Sequence, residues 1–436
     1  MYKALTLVIG FGLAMPSAAA TLVEVATSAL ANHPQVQIAN LAINMDQQQA
    51  LIQRTGFKPQ VGLSTSLSMQ VHGDSGSTGA QQYLSLTEQL TVSQKLYDAT
   101  ARVVQTSLDL QVEKSSLEAL ETQSMVLLDV TERYVQAAMA IEKMHLQQQE
   151  ESYTQQLLKS VNHKYQLQEA YITDVHMAQA NYDLAAADTL VAASEVDAAL
   201  ANLSEITGTK IPLFKPGKQL TSAVTKLSLG HWVRQALESN HAVQASQVAS
   251  RIALKTLDAH QYANFPVIDA KLTFKDQANR GSSNVLASTS GRSFAISLTM
   301  PIYQGGRVAA QRQYSKDNYD IALQQQQKVV QELTNRVTAQ YLREQAMNKR
   351  IVAIERALES TQKATETIRT GLTYGVSTQT QLLASTKQEF HLQLQLKQAK
   401  YQATLSWVQL KQMAGQLTLE YLEQLSQQFD TTGNGV

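Results

Sequence analysis

Two hydrophobic periods divide the chain. Over Val61–His72 the odd positions Val61, Leu63, Leu67, Met69 and Val71, with Thr65 among them, oppose Gly62, Ser64, Ser66, Ser68, Gln70 and His72. This is period-two alternation over about eleven residues, the length and pattern of a β-strand that crosses a bilayer. In Tyr83–Leu96, Leu84, Leu86, Leu90 and Val92 share one face, with Glu88 as the exception. Further on, Ile268, Ala270, Leu272 and Phe274 oppose Asp269, Lys271, Thr273 and Lys275, and Phe294, Ile296, Leu298 and Met300 oppose Ser293, Ala295, Ser297 and Thr299. The alternation predicts strand pairs over 61–72 with 83–96 and 267–275 with 293–302. Gly- and Ser-rich loops are expected at Gly73–Gln81 and Asp276–Gly291.

The second period is helical. No proline lies between Pro59 and Pro212 or after Pro301, and glycine is absent from 80 through 207 and from 307 through 370. Segments Ala99–Gln166 and Gly306–Leu372 are rich in Ala, Gln, Leu, Glu and Lys, residues that favour helix. They predict two helices, over 99–166 and 306–372, each about 100 Å long at about 1.5 Å per residue. Met347, Ile351, Ile354, Leu358, Thr361, Thr365 and Ile368 alternate steps of four and three, as do Leu117, Leu120, Ser124, Leu127, Thr131, Tyr134, Ala138 and Ile141. A seam repeating every ~3.5 residues supercoils against partner helices. Its Ala, Ser and Thr members fit either close packing on both sides of each helix or a weaker coiled coil.

The chain also repeats itself at an offset near 207. Ala29-Leu30 returns as Ala236-Leu237, Asn32-His33 as Asn240-His241, Tyr97 as Tyr303, Thr131 and Tyr134 as Thr338 and Tyr341, and Gly208 as Gly415. The expected organisation is a first structural repeat over 21–210 and a second over 229–415. Each runs helix, strand pair, long helix and returning helix. A linker, 211–228, carries Pro212, Pro216 and Gly217. A tail, 416–436, is expected to be partly disordered, and His33 and His241 are expected at equivalent helix ends.

Composition narrows the class. Lys+Arg and Asp+Glu are both 36, there is no Cys, and Gln alone supplies 54 of 436 residues. A balanced charge gives nucleic acid no electrostatic purchase, and thiol chemistry and disulfides are excluded. Lys3, the apolar Ala4–Met15, Pro16, Ser17 and Ala18–Ala20 have the order of a signal peptide over 1–20. The nine His are scattered without metal spacing, so no catalytic residue, metal or cofactor is expected. Gly305-Gly306 is followed by no Lys-Ser/Thr and reads as a tight strand-to-helix turn rather than a phosphate loop.

An apolar strand face needs a cover. A soluble core would serve, but helices of this length offer none nearby, whereas lipid would. Four strands cannot close a barrel and lipid forbids open edges. Three copies sharing twelve strands would satisfy both. Glu88 opposes this, although an acidic residue in lipid costs less than the roughly 2–4 kcal/mol of a basic one at midplane.

The signal peptide, the doubled order of elements and the local sequences together resemble the TolC-type outer-membrane channel family. Ser293–Arg307, with Pro301, an aromatic at Tyr303 and Gly305-Gly306, resembles its strand-to-helix junction. Leu90–Asp98 is the matching junction, with Lys95 in place of Pro. Tyr165–Val175 and Leu372–Leu382 resemble the turns at the tips of the coiled coils. The resemblance implies a mixed α and β fold: a long α-helical coiled-coil barrel continued by a transmembrane β-barrel, four strands per protomer and twelve in a homotrimer. It implies a channel in the outer membrane, with the helical tunnel in the periplasm. Such a channel works with a periplasmic membrane-fusion adaptor and an inner-membrane pump, RND-type or ABC exporter, to export drugs, toxins or proteins.

Carried over residue by residue, the pore aperture falls on Thr173, Asp174, Ser377, Gln381 and Ala384. Gln381, Ala384 and Ser377 depart from the charged residues common in the family, which implies a less charged aperture. Asp174 reads equally as a helix-start residue. The tip turns Leu167, Gln168, Gly375 and Val376 are implied adaptor contacts, or simply tip packing. Gly371 and Gly375 are expected there for their tolerance of positive φ. An exported coiled-coil filament or adhesin is the alternative, and it would not need the four strands.

Overall fold

The computed structural model describes residues 21–72, 81–207, 227–280 and 286–430. The segment expected as a signal peptide (1–20), most of the expected linker (211–226), residues 73–80, 208–210 and 281–285 and the last six residues lie outside them.

The order of elements is α1 (Leu22–Asn32), α2 (Pro34–Thr55), β1 (Gln60–His72), β2 (Gln81–Tyr97), α3 (Ala99–Gln166) and α4 (Ile172–Thr207). It then recurs as α5 (Leu229–Ser239), α6 (His241–Gln261), β3 (Val267–Arg280), β4 (Leu286–Thr299), α7 (Arg307–Thr373) and α8 (Gln379–Met413), with α9 (Leu419–Asp430) added. α1 and α5 lie 207 residues apart at both ends, and their caps match. Thr21 and Ser228 accept from the backbone three residues on. The backbone N–H groups of His33 and Asn240 donate to the carbonyls of Ala29 and Ala236. His33 therefore corresponds to Asn240, and His241 to Pro34. The expected pairing of the two histidines is displaced by one residue.

Two other expectations are corrected. The strands run beyond the apolar alternation: β3 continues to Arg280 and β4 begins at Leu286, inside the segment expected as loop. Cross-strand backbone bonding carries polar residues that apolar period alone does not reveal. β4 ends at Thr299, before Pro301. Of the tail expected to be partly disordered, Leu419–Asp430 form α9, with Leu422 and Leu425 buried, and 431–436 lie outside the described residues.

The chain divides into two compact units. One contains residues up to 38, 120–240 and from 331 onward. Its main core joins Leu22 and Ala29 of α1, Val130, Tyr134 and Ala138 of α3, Leu203 of α4, Val408 of α8 and Leu422 of α9. A second cluster joins Ile351 and Ile354 of α7 to Leu392, Ala399 and Ala403 of α8. Two small polar seam residues are satisfied by helix carbonyls, whereas the buried Ser124 hydroxyl has no hydrogen-bond partner among the described residues. Thr131 donates to the Leu127 carbonyl at 2.7 Å, and Thr365 to Thr361 at 2.9 Å while meeting Ser385 at 2.7 Å. On α3 the seam is buried from Ser124 to Ile141, but Leu120 is exposed. Val126, Val130 and Ala137 are buried beside it, so the middle of α3 packs on more than one side.

The other unit contains residues 39–119 and 241–330 and holds an antiparallel sheet in the order β1-β2-β3-β4. The register puts Val61, Val92, Leu272 and Phe294 in one row, and Leu63, Leu90, Phe274 and Arg292 in another on the same face. The opposite face is mainly polar, interrupted by Val267, Ala287 and Ala295. Ser64, Gln89, Lys275 and Gly291 form one of its rows. Glu88 lies on the apolar face in the row Thr65, Glu88, Asp276 and Ser290. It is therefore one member of a polar row that crosses all four strands.

Candidate functional site: helix tips, junctions and sheet faces

Both helix hairpins turn by the same backbone device. At the first tip Gln168 has φ 62°, its N–H donates to the Tyr165 carbonyl and that of Glu169 to the Lys164 carbonyl. At the second, Gly375 has φ 73°, donates to Leu372, and Val376 donates to Gly371. These paired bonds close the last turn of a helix around one left-handed residue. Gly371 does not have positive φ. A Cβ there would lie 2.4 Å from the Ser377 hydroxyl, so close approach, not handedness, requires glycine. The tips are rich in exposed apolar side chains: Leu167, Tyr171, Tyr374 and Val376, the last at 82%. Sequence reasoning passed over Tyr165, Tyr171 and Tyr374. Their signal was aromatic residues beside a turn, where no core is available to receive them.

The returning helices start alike. The Tyr171 N–H donates to Asp174 at 3.2 Å. In α8, Thr378 accepts from Gln381 N–H and Gln381 Oε1 accepts from Thr378 N–H at 2.9 Å, a complete capping box. Asp174 and Gln381 thus hold the same third helical position 207 residues apart, and each spends one oxygen on its own cap. Thr173, Gln381 and Ala384 are exposed, and Asp174 and Ser377 are half-buried. Asp174 shares a cleft with Met177, Gln379 and Leu383.

The strand-to-helix junctions differ. After Pro301, Gly305 (φ 60°) and Gly306 (φ 83°) turn the chain into α7. After β2, Asp98 caps α3 by accepting from Ala101 N–H at 2.9 Å and pairs with Lys95 at 2.7 Å. Two left-handed glycines in one repeat do the work of a carboxylate cap and an ion pair in the other.

On the sheet, the apolar face is open. Val61, Leu63, Leu67, Phe294, Ile296 and Leu298 are all exposed, with Leu63 at 75%. Among the described residues no strand pairs with the outer edge of β1 or β4.

The chain matches the family described as outer membrane efflux protein over residues 25–209 and 232–416. It belongs to that family. The two matched stretches fall on the two halves of the doubled element order. It is 22% identical over 412 residues to the outer membrane protein TolC of Vibrio cholerae, covering 92% of each chain. It is 25% identical to the alkaline protease secretion protein AprF of Pseudomonas aeruginosa, covering 92% of this chain and 85% of that one. Among solved structures, CusC superposes with a TM-score of 0.79 at 16% identity, covering 93% of this chain and 96% of that one. The outer membrane protein VceC of Vibrio cholerae gives 0.74 at 15% identity, covering 90% and 96%. The protein is an outer-membrane efflux channel of the TolC type, in a family of channels rather than enzymes.

Proposed function

We propose that three copies of this chain close a twelve-stranded barrel in the outer membrane, through which solutes pass passively. One observation carries the reading: a four-stranded sheet with two open edges and an exposed apolar face. Neither water nor lipid tolerates both together. Lipid covers an apolar face but leaves unpaired edge N–H and C=O groups unsatisfied, at several kcal/mol each. Pairing β4 of one copy with β1 of the next removes the edges. Outer-membrane fractionation, a detergent-stable trimer and discrete conductance in planar bilayers test it. A monomer that stays soluble without detergent overturns it.

The exposed tips support docking onto a periplasmic membrane-fusion adaptor, with Leu167, Gln168, Gly375 and Val376 in contact and Tyr171 and Tyr374 beside them. An inner-membrane pump, RND-type or ABC exporter, would drive export of small molecules or proteins. Cross-linking from a photoreactive residue at Val376 in cells tests the tip contact. Recovery of no adaptor would count against it. Thr173, Asp174, Ser377, Gln381 and Ala384 are assigned to the aperture. There, three Asp174 carboxylates around an axis favour cations by Coulomb attraction, and the uncharged second-repeat residues leave the constriction held by weaker bonds.

A further inference from the structure

The polar face of the sheet is not electrically neutral. Its charged members are Lys95 on β2 and Asp269, Lys271 and Lys275 on β3. Lys95 gives its ammonium to Asp98 at 2.7 Å. Lys271 has Ser93 and Ala295 in register and Asp269 two residues away on the same face, about 7 Å along the strand, so its field is partly offset. Lys275 has no such neighbour. Gln89 and Gly291 stand opposite it, and Thr91, Thr87, Ser293 and Thr289 lie diagonally. Thr273 and Gln277 flank it along β3. All are uncharged. Lys271 itself is four residues away, about 13 Å, beyond the ~8 Å Debye length of physiological salt. Glu88, Asp276, Arg280 and Arg292 all point to the apolar face.

We propose that Lys275, seconded by Lys271, determines selectivity in the barrel by lining its lumen with an uncompensated cationic ring that concentrates anionic solutes. The inference rests on the trimeric barrel above, in which the polar face lines the lumen and Lys275 occurs three times around it. A charged ring on a water-filled wall acts through the screened field rather than by contact. Its effect therefore grows as salt falls, from a Debye length of ~3 Å at 1 M to between ~10 and ~30 Å below 0.1 M. The ring is opposite in sign to the carboxylates assigned to the aperture, so a cargo bearing both charges would meet one attractive station of each kind.

The test is the reversal potential of the full-length mature channel in planar bilayers under a KCl gradient. Lys275→Gln should raise the potassium-to-chloride permeability ratio roughly twofold to fivefold near 0.05 M salt, and the difference should vanish near 1 M. Because the chain has no Cys, Lys275→Cys places a unique thiol in an otherwise unreactive channel. Adding 2-aminoethyl methanethiosulfonate to the open channel should restore the wild-type ratio, and a neutral thiosulfonate should not. This charge rescue reads the side chain in a protein that is already conducting, so misfolding cannot mimic it. An unchanged ratio at low salt, or a thiol that never reacts in the open channel, overturns the lumenal ring while leaving the channel intact. Absence of any conductance from the wild-type protein overturns the barrel itself, and the inference with it.

Discussion

Gln168 and Gly375 occupy the same left-handed turn, 207 residues apart, with φ of 62° and 73° and matching pairs of backbone hydrogen bonds. Only one is glycine. A non-glycine residue in this region carries strain of about 1–3 kcal/mol, so the first tip holds energy that the second does not. Gln168→Gly should stabilise the protein by about 1 kcal/mol, while Gly375→Ala and Gly371→Ala should each destabilise it, the latter by collision with Ser377. Thermal unfolding monitored by circular dichroism reads all three. A destabilised Gln168→Gly would mean that the glutamine side chain holds the tip.

For Asp174, the shared capping position separates charge from hydrogen bonding. Asn keeps an oxygen for the Tyr171 N–H but removes the negative charge, whereas Ala removes both. Asp174→Asn should lower cation selectivity without lowering the melting temperature; Asp174→Ala should lower both, at a cost of about 0.5–2 kcal/mol for the lost cap. If Asn leaves selectivity untouched, the residue serves the helix alone.

Both tryptophans of the chain enclose one lysine. The Lys411 ammonium lies 5.4 Å from the Trp232 ring, 5.5 Å from Trp407 and 5.6 Å from Tyr421, and donates to Gln416 at 2.7 Å. Burial depresses its pKa, a cost that the three ring faces offset. The box ties α5, α8 and α9 together. Trp232→Ala should cost about 3–5 kcal/mol and Lys411→Met less. Chemical denaturation followed by tryptophan emission measures both, and equal losses would show that the cation, not ring packing, dominates.

Burial raises the pKa of Glu150; Lys387 opposes this and Asp188 adds to it. The folded state therefore binds the Glu150 proton more tightly than the unfolded chain. The resulting penalty is absent below the unfolded pKa and fully present above the folded one. Glu150→Gln should raise the melting temperature at pH 7–8, and the gain should disappear towards pH 4. A gain of equal size at both pH values would assign it to something other than this charge.

What the sequence made legible is what has a period. Alternation over eleven residues marked the strands, freedom from Gly and Pro marked the long helices, and the 207-residue offset exposed the doubling. Polar extensions of β3 and β4 were hidden, because Gln277, Asn279, Ser288 and Ser290 are held by ladder bonds that leave no apolar trace. α9 was hidden by a polar, Gln-rich tail whose few leucines are too sparse to announce a buried face. At the tips the repeat located the turn at Gln168, but not the reason for Gly371, which depends on where Ser377 comes to rest. The cap shared by Asp174 and Gln381 was half visible: Thr378 and Gln381 have the spacing of a capping box, while Tyr171 is an unusual cap residue.

The two strand-to-helix junctions show what internal doubling permits. Gly305-Gly306 and Lys95-Asp98 make one bend by different chemistry, and Gln168 and Gly375 likewise close one turn with different side chains. The two halves are therefore alike in backbone outline and unlike in surface, so the doubled chain presents two distinguishable copies of a single shape.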